Sequence, residues 1–101
     1  MTAPAWSHWS PEKLATFDLV DAAWQIEVYR AEYFEWRRKH REAEAARWEA
    51  VEAKNAARAR ECDREAGRAL YKASECLVMI GGYTQWAQER ERELVRLGHP
   101  Q

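Results

Sequence analysis

The chain has 101 residues, enough for one small domain, and its formal net charge of −1 provides no overall attraction to nucleic acid. No run of about 18 apolar residues occurs, and the first residues lack the basic end and apolar core of a signal peptide. We therefore expect a cytoplasmic protein with no membrane span. Much of the hydrophobic content is alanine, so the core of a monomer would be thin.

Residues 1–10 are predicted to form an irregular arm that leads into a helix. Ser10-Pro11-Glu12 is typical of a helix start, because it combines a capping serine, a proline in the first turn and an acid. No proline follows until Pro100 and no glycine until Gly67. The sequence therefore predicts helix over residues 11–80, as one rod or as a hairpin.

The distribution of large apolar residues favours the hairpin. These residues gather in two zones, roughly 14–36 and 70–86, whereas a single helix over 11–80 would extend about 105 Å and bury neither zone in a monomer. We place the turn between residues 38 and 67, with Asn55 as a candidate cap of the second helix. A turn near residues 38–55 would bring Phe17 level with Leu77.

Gly81-Gly82 is predicted to interrupt the second helix. A third helix over residues 83–97 would then close at Gly98-His99-Pro100. The expected fold is all-α, a single helical domain over residues 1–101 in which a long hairpin and a short C-terminal helix form a three-helix, coiled-coil-like bundle. The alternative is one long helix in an antiparallel dimer.

Two apolar stripes run along nearly opposite sides of the first helix. The first stripe comprises Phe17, Val20, Trp24, Val28 and Ala31, and the second comprises Leu19, Ala22, Ile26, Tyr29, Tyr33 and Trp36. Either both stripes are covered within the chain, or one is left for a partner. Because tyrosine and tryptophan are common interface anchors, we predict a protein-binding surface at Tyr29, Tyr33 and Trp36, with Trp48 as a further contact.

The segment Arg37-Arg38-Lys39-His40-Arg41 is the only basic cluster. Arg37, Arg38 and Arg41 could bind phosphate groups, but acids interrupt the basic residues that follow. The sequence also contains no recognised nucleic-acid module. A solvated helix end is therefore the favoured interpretation, and nucleic-acid binding is the second alternative.

Catalytic and metal-binding patterns are missing from the sequence. The three histidines lie far apart, no Cys-x-x-Cys pair or glycine-rich phosphate loop occurs, and the serines lack a nucleophile elbow. Cys62 and Cys76 would lie about 21 Å apart on one helix, too far for a disulfide. We expect no enzymatic activity, no cofactor and no metal.

The sequence thus predicts a non-enzymatic helical module, an adaptor or assembly protein, that binds an unidentified protein or a second copy of itself. The chain is short and helical, has six tryptophans and lacks catalytic motifs. In these respects it resembles the small accessory proteins of phages and other mobile elements. That resemblance covers no specific motif. It implies, as the first alternative, an anti-defence inhibitor that binds and blocks a host protein machine.

Overall fold

The computed structural model describes residues 5–98 and contains two long helices, α1 (Pro11–Glu52) and α2 (Ala56–Arg96). A short 3₁₀ turn, Ala5–His8, comes before α1. No strand occurs among the described residues, so the all-α prediction is confirmed. The predicted closing signal at His99 and Pro100 lies outside the described residues.

The N-terminus of α1 has the predicted cap. Ser10 Oγ accepts a hydrogen bond from the Lys13 N–H at 3.2 Å, and the Ser10 carbonyl accepts one from the Leu14 N–H at 3.0 Å. The serine therefore satisfies one of the N–H groups that the first helical turn leaves without a partner.

The two helices are joined by a tight turn at residues 53–55. Lys54 adopts a positive φ of 57°, and the Asn55 N–H donates to the Ala50 carbonyl at 2.8 Å. Asn55 Oδ1 then accepts a hydrogen bond from the Arg58 N–H at 3.1 Å, so Asn55 caps α2 as predicted. The alternative of one uninterrupted helix is wrong, because the chain reverses here.

The central unit, Val28–Met79, is an antiparallel helical hairpin. Its two arms meet at Glu32 and Cys76, which are each 22 residues from Lys54, and the Cys76 thiol donates to Glu32 Oε2 at 3.9 Å. Small residues line the buried side of both arms. In α1 they are Ala43 and Ala50, seven residues apart, and in α2 they alternate at spacings of four and three: Cys62, Ala66, Ala69, Ala73 and Cys76. These residues allow close approach of the helix backbones.

The second unit, Met1–Glu27 with Ile80–Gln101, is built from the start of α1 and the end of α2. Its buried residues are Ala15, Ala22 and Leu94, and an ion pair joins Arg90 Nε to Asp18 Oδ2 at 3.3 Å. The predicted register that places Phe17 level with Leu77 is therefore wrong. That register requires a turn halfway between residues 17 and 77, whereas the turn lies later, at residues 53–55. The α2 residues opposite Phe17 are therefore nearer the C-terminus.

The predicted third helix is absent, because α2 continues through Gly81-Gly82 to Arg96. A glycine inside a helix costs about 1 kcal/mol relative to alanine. Ile80, Tyr83 and Trp86 on either side of the pair are half-buried, and such packing stabilises a helix more than propensity does. An added Cβ on Gly81 or Gly82 would meet nothing within 4 Å. The pair therefore neither breaks the helix nor allows a close contact with another element.

Candidate protein-binding face

The second stripe of α1 faces the other arm of the hairpin in the central unit. Tyr29, Tyr33 and Trp36 are half-buried, and Tyr29 and Trp36 line a shallow groove together with Cys76 of α2. Tyr29 and Trp36 thus lie beside Cys76, one of the small buried residues of α2. Their proposed role in binding a partner stays a prediction.

Val78, Met79 and several charged side chains line the rest of this groove, and the charges largely compensate one another. Lys72 Nζ pairs with Glu75 Oε2 at 3.4 Å, and Lys39 Nζ lies 4.4 Å from the centre of the Trp36 ring. Glu35 also lines it and pairs with Arg38. A groove of this kind is typical of a solvated helix surface.

The arginines of the basic cluster differ in their ion pairs. Arg38 forms ion pairs with both Glu35 and Glu42. The Arg38 hydrogen bond lowers the pKa of the Glu35 carboxyl, and the two carboxylates raise the pKa of the Arg38 guanidinium. In contrast, neither Arg37 nor Arg41 has an acidic partner among the described residues.

The side of the hairpin on which Arg37 and Arg41 lie follows from helix geometry. A side chain one position after a buried position points about 100° around the helix from it, and one position before points about 100° the other way. When two helices pack antiparallel, the residues one position before a buried residue lie on the same side of the helix pair in both helices. The groove confirms this relation, because Glu32 and Glu35 of α1 and Lys72 and Glu75 of α2 all precede such positions and line it together.

The opposite side is formed by residues that follow buried or half-buried positions. In α1, Phe34, Arg37 and Arg41 follow Tyr33, Trp36 and His40. In α2, Leu70 and Leu77 follow Ala69 and Cys76. Phe34 is 63% exposed, Leu70 43% and Leu77 51%. We call this surface the apolar–basic face; it comprises Phe34, Arg37, Arg41, Leu70 and Leu77.

Small residues separate the large ones on the α2 part of this face. Gly67 and Ser74 follow Ala66 and Ala73, so they alternate with Leu70 and Leu77 at spacings of three and four. An added Cβ on Gly67 would meet nothing within 4 Å, and Ser74 Oγ donates to the Leu70 carbonyl at 3.0 Å. The surface therefore has a shallow depression beside each leucine. The hydroxyl of Ser74 is already hydrogen-bonded.

Trp48 lies on the same side of α1, nearer the turn, because it follows Arg47 in the same pattern. It is more than half exposed, and the Arg47 guanidinium carbon lies 5.0 Å from the centre of its ring. Trp48 is thus accessible, and its role as a contact stays a prediction.

Sequence reasoning missed Phe34, Leu70 and Leu77. The signal was present in α2, where Gly67, Leu70, Ser74 and Leu77 repeat at the same spacing as the alanines and cysteines one position before them. Two adjacent patterns of this kind on one helix predict two neighbouring surfaces, and only one of them is needed for the hairpin.

A second exposed apolar surface lies in the terminal unit. Phe17, Val20 and Trp24, the N-terminal part of the first stripe, are each more than half exposed. Asp21 lies within one helical turn of Phe17 and Trp24 and forms no ion pair among the described residues. We call Phe17, Val20, Asp21 and Trp24 the aromatic–acidic patch.

The Trp9 ring supports the N-terminal edge of this patch. Its centre lies 5.4 Å from that of Phe17 in an edge-to-face arrangement, and Lys13 Nζ lies 4.5 Å from the centre of the Trp9 ring. The contact fixes one edge of Phe17 and leaves the remainder of its ring in solvent.

Among the described residues, no three His, Cys, Asp or Glu side chains converge as metal ligands would. No helix within that part of the chain has a stretch long and apolar enough to cross a membrane. The chain matches no protein-family model, no curated protein and no solved structure.

Proposed function

We propose that this chain is a non-enzymatic helical protein-interaction module, an adaptor or assembly protein, that binds its partner through the apolar–basic face. The observation that carries this proposal is the grouping of three exposed large apolar side chains with two uncompensated arginines on one side of the hairpin. Single exposed apolar residues are ordinary, whereas a contiguous group is typical of an interaction site.

The composition of the face supports binding to protein. Phenylalanine and leucine contribute apolar area that leaves water on association, while arginine combines a long apolar stem with a planar charged group. Aromatic residues and arginine are enriched at protein interfaces. The charges on the face favour a partner with an acidic, apolar surface.

Nucleic-acid binding is less well supported. Arg38, the central arginine of the basic cluster, is already paired with two carboxylates, and phosphate binding would require those ion pairs to break. Of the three arginines considered for this role, Arg37 and Arg41 remain, beside apolar side chains that contribute nothing to phosphate contacts. An inhibitor of a host protein machine would bind its target through the same apolar–basic face. Identification of the bound protein would therefore distinguish an inhibitor from an adaptor.

A capture experiment with two matched double variants tests the proposal. Leu70→Gln with Leu77→Gln removes apolar contacts from the face. The control, Tyr71→Gln with Val78→Gln, changes two exposed apolar residues at the same spacing, one position further round α2. We expect immobilised wild-type and control proteins to retain the same protein from an extract of the source cells, and the face variant to lose it.

Retention by both double variants would refute the proposed face. Circular dichroism of each variant checks that the helices are intact. Loss of the wild-type signal after nuclease treatment would instead indicate nucleic acid as the ligand.

A further inference from the structure

We infer that the apolar–basic face binds the aromatic–acidic patch of a second copy, so that copies of the chain join head to tail. This inference rests on the proposed function and names the partner. Its first support is that the two surfaces are chemically complementary: each has three exposed large apolar side chains, and each has charge without a partner among the described residues.

The charges of the two units have opposite signs. The terminal unit contains seven acids and four bases, a balance of −3, whereas the central unit contains ten acids and twelve bases, a balance of +2. Asp21 lies within the patch and Lys13 at its N-terminal edge, whereas Arg37 and Arg41 lie on the face and Glu44 follows them nearer the turn. Pairing a face with a patch unites opposite charges, whereas pairing face with face brings arginines together.

The shapes of the two surfaces also suit each other. The patch presents the rings of Phe17 and Trp24 on the exposed side of a helix. The face has shallow depressions at Gly67 and Ser74, beside Leu70 and Leu77. An aromatic ring can insert into these depressions. Aromatic groups inserted beside small residues, with apolar contacts around them, are typical of the central anchors of protein interfaces.

The geometry of such an interface has a direct consequence. Because the face and the patch are different surfaces, each copy retains one free surface after binding, and association does not stop at two copies unless a ring closes. We therefore expect the average mass in solution to rise continuously with concentration, without a plateau at the mass of a dimer.

A complementation experiment tests the inference. One double variant, Val20→Gln with Trp24→Gln, disables the patch and keeps the face; the other, Leu70→Gln with Leu77→Gln, disables the face and keeps the patch. We expect each variant alone to be monomeric by light scattering. Their mixture should form a one-to-one complex and nothing larger, because a single intact face–patch pair remains.

The Tyr71→Gln, Val78→Gln variant is the control and should assemble as the wild type does. A wild-type protein that stays monomeric at high concentration, a mixture that stays monomeric, or a single variant that dimerises alone would each overturn the inference. If assembly fails but the face variant still loses a captured protein, the proposed function stands with a different partner. If capture fails and complementation succeeds, the partner is the chain itself.

Discussion

At the residue scale, the turn at 53–55 rests on one residue in a backbone conformation that its side chain disfavours. Lys54 has a φ of 57°, in the left-handed region that glycine adopts readily and other residues adopt at a cost. The capping hydrogen bond of Asn55 and the bond from its N–H to Ala50 hold the turn in place.

Replacing Lys54 by glycine should therefore stabilise the protein. We expect Lys54→Gly to raise the free energy of unfolding by about 0.5–1 kcal/mol, since the strain at the positive φ is relieved. Urea denaturation monitored by circular dichroism provides the measurement. Asn55→Ala is the companion variant and should lower the free energy by about 1 kcal/mol through loss of the cap. A decrease for Lys54→Gly would contradict the turn geometry.

Cys76 provides a second prediction at this scale. Burial raises the pKa of its thiol, and the negative charge and hydrogen bond of Glu32 raise it further. The thiol therefore stays protonated to a higher pH in the folded than in the unfolded chain. This contribution to stability is complete below the ordinary thiol pKa and is lost as pH rises through the raised one.

We expect Cys76 to react slowly with a thiol reagent such as DTNB in the native state and rapidly in denaturant. A Cys62→Ala background leaves Cys76 as the only thiol. Glu32→Gln in that background should lower the pH at which labelling accelerates. The change should be partial, because burial is the larger cause of the raised pKa of Cys76 and is not altered. Equal labelling rates in native and denatured protein would contradict the burial of Cys76.

At the element scale, α1 and α2 contribute differently to the central unit. The buried side of α2 consists of alanine and cysteine, whereas α1 contributes Ala43 and Ala50 together with the half-buried Tyr29, Tyr33 and Trp36. The small residues allow the two helices to approach closely, so a core forms without many branched aliphatic side chains. Ala69 is 3% exposed, so a larger side chain there must shift its neighbours.

Ala69→Leu tests this close packing. We expect it to lower the free energy of unfolding by about 1–3 kcal/mol, because the added atoms must displace a neighbouring helix. Ala45→Leu, at an exposed position in α1, should change it little. Similar effects of the two substitutions on the urea midpoint would show that the helices do not pack at Ala69.

The continuity of α2 through Gly81-Gly82 is tested by removing both glycines. Neither has a positive φ, and an added Cβ meets no atom within 4 Å. Gly81→Ala with Gly82→Ala should therefore stabilise the protein by about 1–2 kcal/mol, since alanine lowers the entropy of the unfolded chain and favours helix. Destabilisation in urea denaturation would indicate that the chain bends at this pair.

At the scale of the whole molecule, charge is divided between the units rather than balanced within each. The terminal unit is acidic and the central unit is basic, although the complete chain carries only −1. Charges of opposite sign on separate surfaces give long-range attraction between copies, and salt weakens that attraction.

Head-to-tail association should therefore depend on salt and on two particular arginines. We expect added sodium chloride to lower the average mass in light scattering, and Arg37→Gln with Arg41→Gln to lower it further than Arg64→Gln with Arg68→Gln. The control pair has the same spacing and charge but lies on α2, outside the face. Equal decreases in average mass for the two variants would show that association depends on net charge and not on Arg37 and Arg41 in particular.

Local sequence signals were sufficient to predict the helical content and the N-terminal caps of α1 and α2. Ser10 and Asn55 were identified as caps because their side chains bond to N–H groups three residues away, and such local bonds depend on neighbouring residues alone. The same local reasoning failed at Gly81-Gly82, because helix propensity is a weak preference that packing of the surrounding residues outweighs.

Which apolar residues face inward depends on how the two helices pack. Both stripes of α1 have helical spacing, and periodicity cannot distinguish a side that packs on α2 from one that meets solvent. The position of the turn fixed the register. Tyr29, Tyr33 and Trp36 were thereby set toward the small residues of α2, while Phe17 and Trp24 remained exposed.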